Sequence, residues 1–112
     1  MQVTTVLKKW FLIDFEFEGK AMEGVIAWGI VERDPSGRWS PGNYCCTSPV
    51  LKEVKEGDEL FAITRNSTYQ LVGAGERITM PVQSILALRE GYSPDEINGA
   101  EAMREKGFTP NF

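Results

Sequence analysis

Between Trp10 and Glu18 the chain alternates with a period of two. Phe11, Ile13, Phe15 and Phe17 fall on one face of an extended segment, and Asp14, Glu16 and Glu18 fall on the other. This pattern commits the N-terminal part of the chain to a sheet with one packed face and one wet face. Glu18-Gly19-Lys20 reads as a turn, and the mostly apolar run Val25–Val31 reads as the returning strand. Asp34-Pro35-Ser36-Gly37 is a type I turn string that ends it, so the two strands form a long antiparallel hairpin.

A Pro41-Gly42 turn then leads into a short strand through Cys45 and Cys46, which Pro49 ends or holds to a sheet edge. Residues 52–58 read as a charged loop. The runs 59–64 and 68–72 flank Arg65-Asn66-Ser67 as a second hairpin, and Gly73-Ala74-Gly75 closes the segment. From Pro81 the period changes. Val82, Ile85, Leu86 and Leu88 or Arg89 recur at helical spacing, with Pro81 at the first helical position and Gly91 past the end. Ser93-Pro94-Asp95-Glu96 is a capping box that opens a second helix through Ile97, Ala100 and Met103 to Lys106, weakened by Gly99. The expected fold is α+β: an antiparallel, strongly twisted sheet or partly closed barrel of about five or six strands, followed by two short C-terminal helices. A single domain is expected, with a β-rich body over 1–80, a helical pair over 81–107 and a tail over 108–112.

Composition narrows the chemistry. The chain of 112 residues carries 12 basic and 16 acidic groups, a net charge of −4, and no histidine. Ser-His and Cys-His nucleophile pairs, the zinc-binding HExxH helix and an imidazole general base are therefore excluded. The thirds 1–40, 41–80 and 81–112 carry net charges of −1, −1 and −2, so no basic stripe emerges to neutralise phosphates. The N-terminus has no signal-peptide core and no apolar run approaches the length of a membrane helix, so the expected location is the cytoplasm. Adjacent cysteines suit a reducing compartment, one thiol packed and the other more exposed.

Several motifs invite chemistry. Gly73-Ala74-Gly75-Glu76-Arg77 follows a strand but lacks the third glycine of a dinucleotide fingerprint and the ending of a P-loop, so it reads as a turn. Asn66-Ser67-Thr68 matches a glycosylation sequon but reads as a hairpin turn in which Asn tolerates a positive φ. Cys45, Cys46, Thr47 and Ser48 cluster nucleophiles with no imidazole to activate them, and a packed strand is preferred. Asp14, Glu16 and Glu18 would together suit a magnesium ion, against the preferred solvated face. The helices 81–90 and 94–106 have helix-turn-helix spacing, but Asp95 and Glu96 at the start of the second would repel phosphate. No cofactor and no metal ligand set is assigned. Arg38, Trp39, Tyr44, Arg65 and Tyr69 remain as the expected partner surface, because these residue types dominate binding hot spots.

The pattern Gly37-Arg38-Trp39-x-x-Gly42-Asn43-Tyr44-x-x-Thr47-Ser48-Pro49, then Leu60-Phe61, then Thr64-Arg65-Asn66-Ser67-x-Tyr69-x-Leu71-x-Gly73-x-Gly75-x-Arg77, resembles a family of small uncharacterised proteins. These are encoded in bacterial, prophage and phage genomes, and the shared region, matched over about residues 25–80, is a domain of unknown function. The resemblance implies a mobile-element context and brings no catalytic residues. The leading expectation is a non-enzymatic protein-binding module of phage or prophage origin; an inhibitor of host defence, such as an anti-CRISPR protein, is one concrete form. The alternatives are a small enzyme using a cysteine or a carboxylate-held metal, and a DNA-associated regulator using the C-terminal helices.

Overall fold

The computed structural model describes residues 2–105 and 107, with side chains described through residue 103 and at 107. In chain order the elements are β1 (Thr5–Phe17), β2 (Lys20–Arg33), β3 (Tyr44–Cys46), β4 (Lys52–Glu56), β5 (Glu59–Ile63), β6 (Thr68–Leu71), β7 (Gly75–Pro81), a 3-10 turn (Val82–Ser84), α1 (Ile85–Arg89) and α2 (Pro94–Glu105). The α+β class with two C-terminal helices is as expected; the expected helix end at Lys106 and the tail 108–112 lie outside the described residues.

Seven strands form one sheet in the order β3-β2-β1-β6-β5-β4, with β7 also paired to β1. Two of them depart from the sequence reading. Residues 52–56, read as a charged loop, form edge strand β4 against β5, with only Val54 half-buried. Gly73-Ala74-Gly75 does not close the β-rich part but leads into β7, of which Pro81 is the last residue rather than the first of a helix. The sheet is also mixed: β6 and β7 both run parallel to β1, and the other ladders are antiparallel.

β1 organises everything else. Its first residues pair with β6, its remainder pairs with β7, and β2 lies along its other side. The change of partner coincides with a bulge in which Lys9 adopts φ 49°. The extra residue lets Leu7 and Trp10, at odd spacing, both reach one face of the sheet. Beyond the bulge, Leu12 faces one side of the sheet while Phe11, Ile13 and Phe15 face the other, and both sides are covered. At the far end, Glu18 and Gly19 both have positive φ, a two-residue hairpin turn matched to strand twist. Phe17, expected on the packed face, stands 54% exposed beside this turn, where no described residue covers it.

The sheet curls around its first core, formed by Leu7, Leu12, Ala27, Val31, Cys45, Ala62, Tyr69 and Leu71. Its edges β3 and β4 are consecutive in sequence and the ladder does not close. The segment between them spans the seam: the Val50 N–H donates to Val25 O (2.6 Å) and the Leu51 N–H to Ile63 O (2.8 Å). Within this seam Thr47 is buried, accepting the Ala27 N–H (2.9 Å) at its hydroxyl. The second core lies on the outer face of β1, β2 and β7, where Ile13, Phe15, Ile26, Trp28 and Met80 pack against Leu88 and Ile97 of the helices.

Two hydrogen bonds fasten the short α1 to this face. The Trp28 indole N–H donates to Leu88 O (3.2 Å), which also takes the Gly91 N–H, and the Tyr44 hydroxyl donates to Arg89 O (2.9 Å), a carbonyl that the helix end leaves open. The expected capping box is formed at α2: the Glu96 N–H donates to Ser93 Oγ (3.1 Å) and the Ser93 N–H to Glu96 Oε1 (3.0 Å).

Candidate functional site

The loop after β2 is built around one carboxylate. Asp34 accepts hydrogen bonds from the Ser36 N–H, the Ser36 hydroxyl, the Trp39 N–H (2.7 Å) and the Thr5 hydroxyl (3.1 Å). The Gly37 N–H donates to Asp34 O (3.0 Å), the i to i+3 bond of the expected turn. Arg38 and Trp39 therefore leave the loop in a fixed direction. The Arg38 guanidinium lies 4.4 Å from the Trp39 ring centroid. It donates to Ser36 Oγ (3.2 Å) and to Ser67 Oγ (3.3 Å), tying this loop to the β5–β6 turn.

Partial burial pushes the Asp34 carboxyl up, but the bonds from the Ser36 hydroxyl, the Trp39 and Ser36 amides and the Thr5 hydroxyl together outweigh it and hold the group at about 2. A carboxyl depressed below its unfolded value stabilises the fold above that value and ceases to do so as the pH falls through the folded one. Discounted for partial exposure, the effect is about 1–2 kcal/mol. The stability gap between wild type and Asp34→Asn in urea unfolding is expected to be widest near about pH 6 and to close toward about pH 2. A gap that stays constant across that range would show that the carboxylate does not organise the loop through its charge.

The structure brings together only part of the expected partner surface. Trp39 and Tyr44 line one concavity of about 450 Å³ with Asn43, Cys45, Cys46 and Arg89. Arg38 stacks on its Trp39 wall. Tyr44 is 41% exposed and lies stacked on Trp28, ring centroids 6.4 Å apart at 12°. Arg65 sits elsewhere, on the β5–β6 turn, where with Gln2, Thr4, Ser36 and Asn66 it lines a second concavity of about 440 Å³. That turn forms as expected, with the Thr64 N–H donating to Ser67 O (2.9 Å), but without a positive φ at Asn66. Tyr69 is not on the surface. It is 4% exposed in the first core, because β6 turns Tyr69 and Leu71 to the same inward face. Arg89 is the residue that sequence reasoning missed. It reaches the site only because Tyr44 binds its carbonyl across 45 positions of chain, and no local pattern signals that.

The cysteines point to opposite faces as expected, Cys45 buried in the first core and Cys46 half-buried against the second. Burial pushes the Cys45 thiol up to about 12, and Arg38 offsets little of this. Burial also raises Cys46, with Arg89 pulling the other way. Both are therefore protonated thiols at neutral pH, poor nucleophiles and poor metal ligands. On the acidic strand face, Asp14 is engaged. Asp14 accepts from Arg77 (2.8 Å), which also pairs with Glu53 of β4 (2.9 Å), so one guanidinium joins β1, β4 and β7. The hydrogen bond from Arg77 holds the Asp14 carboxyl below its usual range, against partial burial. Among the described residues no group of three Cys, Asp or Glu side chains is placed to hold a metal ion. No described helix is long and apolar enough to cross a membrane.

The chain belongs to a family described as a domain of unknown function, DUF6957, whose model matches residues 1–87. The match extends beyond the residue pattern at 25–80 at both ends, taking in all of β1 and the start of α1, and it stops short of Arg89. Neither the curated proteins nor the solved structures contain a significant match to the chain.

Proposed function

We propose that this protein is a non-enzymatic protein-binding module that docks through the concavity formed by Trp39, Tyr44 and Arg89, with Arg38 on its flank. The observation that carries this reading is the lining itself. In a chain of net charge −4, the concavity is walled by two aromatic rings and a guanidinium, with no carboxylate among its lining residues. Trp, Tyr and Arg concentrate binding energy because they bury much area for little lost conformational freedom. The Asp34 loop holds Trp39 and the hydroxyl bond to Arg89 O holds Tyr44, so little ordering remains to be done on association. The matching partner surface is acidic, with an apolar anchor for the cleft between the rings. The two packed thiols speak against a cysteine enzyme, and the Arg77 pairing of Asp14 speaks against a metal on β1.

The resemblance of residues 25–80 to proteins of phage and prophage genomes extends the proposal to a mobile-element protein acting on a host or phage protein, inhibition of host defence being its narrowest form. The test is affinity capture from a bacterial lysate with wild type and with Arg38→Glu/Arg89→Glu. A stoichiometric protein partner is expected with wild type, reduced at least about tenfold by the double charge reversal and unchanged by Lys55→Glu on the far edge strand. Capture that survives the reversal, or no stoichiometric partner at all, would overturn the assignment.

A further inference from the structure

We infer that the second concavity, beside the β5–β6 turn, binds a phosphate monoester with a small body, through the Arg65 guanidinium and the amide and hydroxyl donors around it. The concavity encloses about 440 Å³, within the range of ligand pockets and more than a bare anion fills. Arg65 is the single charged residue of its described lining, in a chain of net charge −4. Val3, Pro35 and Ile63 add an apolar part for the body of the ligand.

Three stretches of chain form its walls, residues 2–4, 35–36 and 63–68, and hydrogen bonds tie them together. The Thr4 N–H donates to Thr68 O (2.8 Å), the Thr68 N–H donates to Thr4 Oγ1 (3.0 Å), and the Ser36 N–H reaches Thr4 O (3.4 Å). The Thr64 N–H and hydroxyl both donate to Ser67 O (2.9 and 3.3 Å), which fixes the turn that carries Arg65 and Asn66. Thr64 and Ser67 are themselves buried. The concavity is therefore preformed, and little ordering remains to be done when it fills.

Its polar groups divide into engaged and open ones. The Ser36, Thr64 and Ser67 hydroxyl groups are engaged inside the protein. Among the described residues the Arg65 guanidinium has no carboxylate partner, and the Gln2 and Asn66 carboxamides make no hydrogen bond. Thr4 Oγ1 accepts from Thr68 and keeps its proton to donate. A guanidinium meets phosphate oxygens with paired N–H bonds, and neutral donors complete the shell. Asp34 precedes this lining by one residue, but its charge is opposed at close range. The Ser36 hydroxyl donates to Asp34 and accepts from Arg38, whose guanidinium also donates to Ser67 Oγ. Arg65 and Arg38 against Asp34 leave a local balance of 2 − 1 = +1, which favours a dianion over a carboxylate. The proposed docking concavity lies on the Trp39 side of Arg38 and shares no lining residue with this one.

The test is titration of the isotope-labelled full chain with glycerol 3-phosphate, followed through the Arg65 side-chain Nε–H and the Asn66 and Thr68 backbone amides. Saturable shifts of all three are expected, with the Tyr44 amide unmoved and no response to glycerol. Acetate should bind at least about tenfold more weakly. Arg65→Gln, at an exposed turn position, should weaken the ester at least about tenfold, and Arg65→Lys, which keeps the charge without the fork, by about threefold. N-acetyl phosphoserine amide, run in parallel, separates the sources: tighter binding than glycerol 3-phosphate assigns the group to a phosphorylated chain, weaker binding to a free small ester. Shifts that do not saturate, equal binding of acetate, or a titration untouched by Arg65→Gln would each overturn the inference. Arg89→Glu should leave the titration unchanged, so this result stands or falls apart from the docking proposal.

Discussion

Trp28→Ala is expected to lower the free energy of unfolding by about 3–5 kcal/mol, the cost of emptying a packed aromatic site. Trp28 is 4% exposed and sits where β1, β2, β3 and the helices meet. Its ring is flanked by Phe11 on one side and Tyr44 on the other, so its removal undoes two aromatic contacts. It also removes one of the two donors to Leu88 O, the other being the Gly91 N–H. α1 spans only five residues, far too few to persist without tertiary support. Trp28→Phe separates the two roles: it keeps most of the buried area but loses the N–H, at about 0.5–1.5 kcal/mol, since Leu88 O keeps the Gly91 N–H. In that variant amide exchange should quicken through α1 and α2 first, with β5 and β6 protected as before. Urea unfolding and hydrogen exchange read both effects. A loss below about 1 kcal/mol for Trp28→Ala would mean the helices do not depend on this face.

How much of this was legible in the chain depends on how local each cause is. β1 declared itself through alternation, and the capping box at Ser93 and Glu96 through a three-residue spacing that needs no tertiary partner. The edge strand β4 was hidden because four of its five residues are charged, the composition that protects an exposed edge and that also resembles a loop. β7 was hidden for a different reason. It opens with a glycine, ends in a proline and alternates weakly, and its partner β1 begins 70 residues earlier. Tyr69 was readable: its spacing of two from Leu71 places both on one strand face, the one turned to the core. The place of Arg89 was not readable, since it exists only once helices docked on the sheet bring distant segments together.

The net charge of −4 excluded much chemistry, but it conceals a division of the surface. The chain's acidic excess is spread across its thirds, yet folding gathers Trp39, Tyr44 and Arg89 around one concavity and Glu76, Asp95 and Glu96 around another. The boundary between them is the Trp28–Tyr44 stack, with Trp28 lining the acidic cleft and Tyr44 the basic one. A single aromatic pair therefore forms part of the wall of two concavities whose linings differ in charge.

Gly75→Ala is the second substitution expected to be costly, at about 2–3 kcal/mol, although it adds a single methyl to an exposed strand. A Cβ at this position would lie 2.1 Å from Trp10 Cδ2 and 2.2 Å from Cε2, inside the indole ring. The backbone of Gly75 is the surface on which that ring rests, in a strand pair where Trp10 and Gly75 are direct neighbours. The indole cannot simply slide away, because its N–H is held by Gly73 O and its body packs against the first core. Either Trp10 leaves its place or β7 lifts from β1, and both expose apolar surface. Trp10→Ala removes the obstacle, so Gly75→Ala should become nearly harmless in that background. A double-mutant cycle in urea should then give a coupling of about 1–3 kcal/mol, the double variant being more stable than the sum of the single changes allows. Additive losses would mean that Gly75 matters for its own backbone and not for the ring above it.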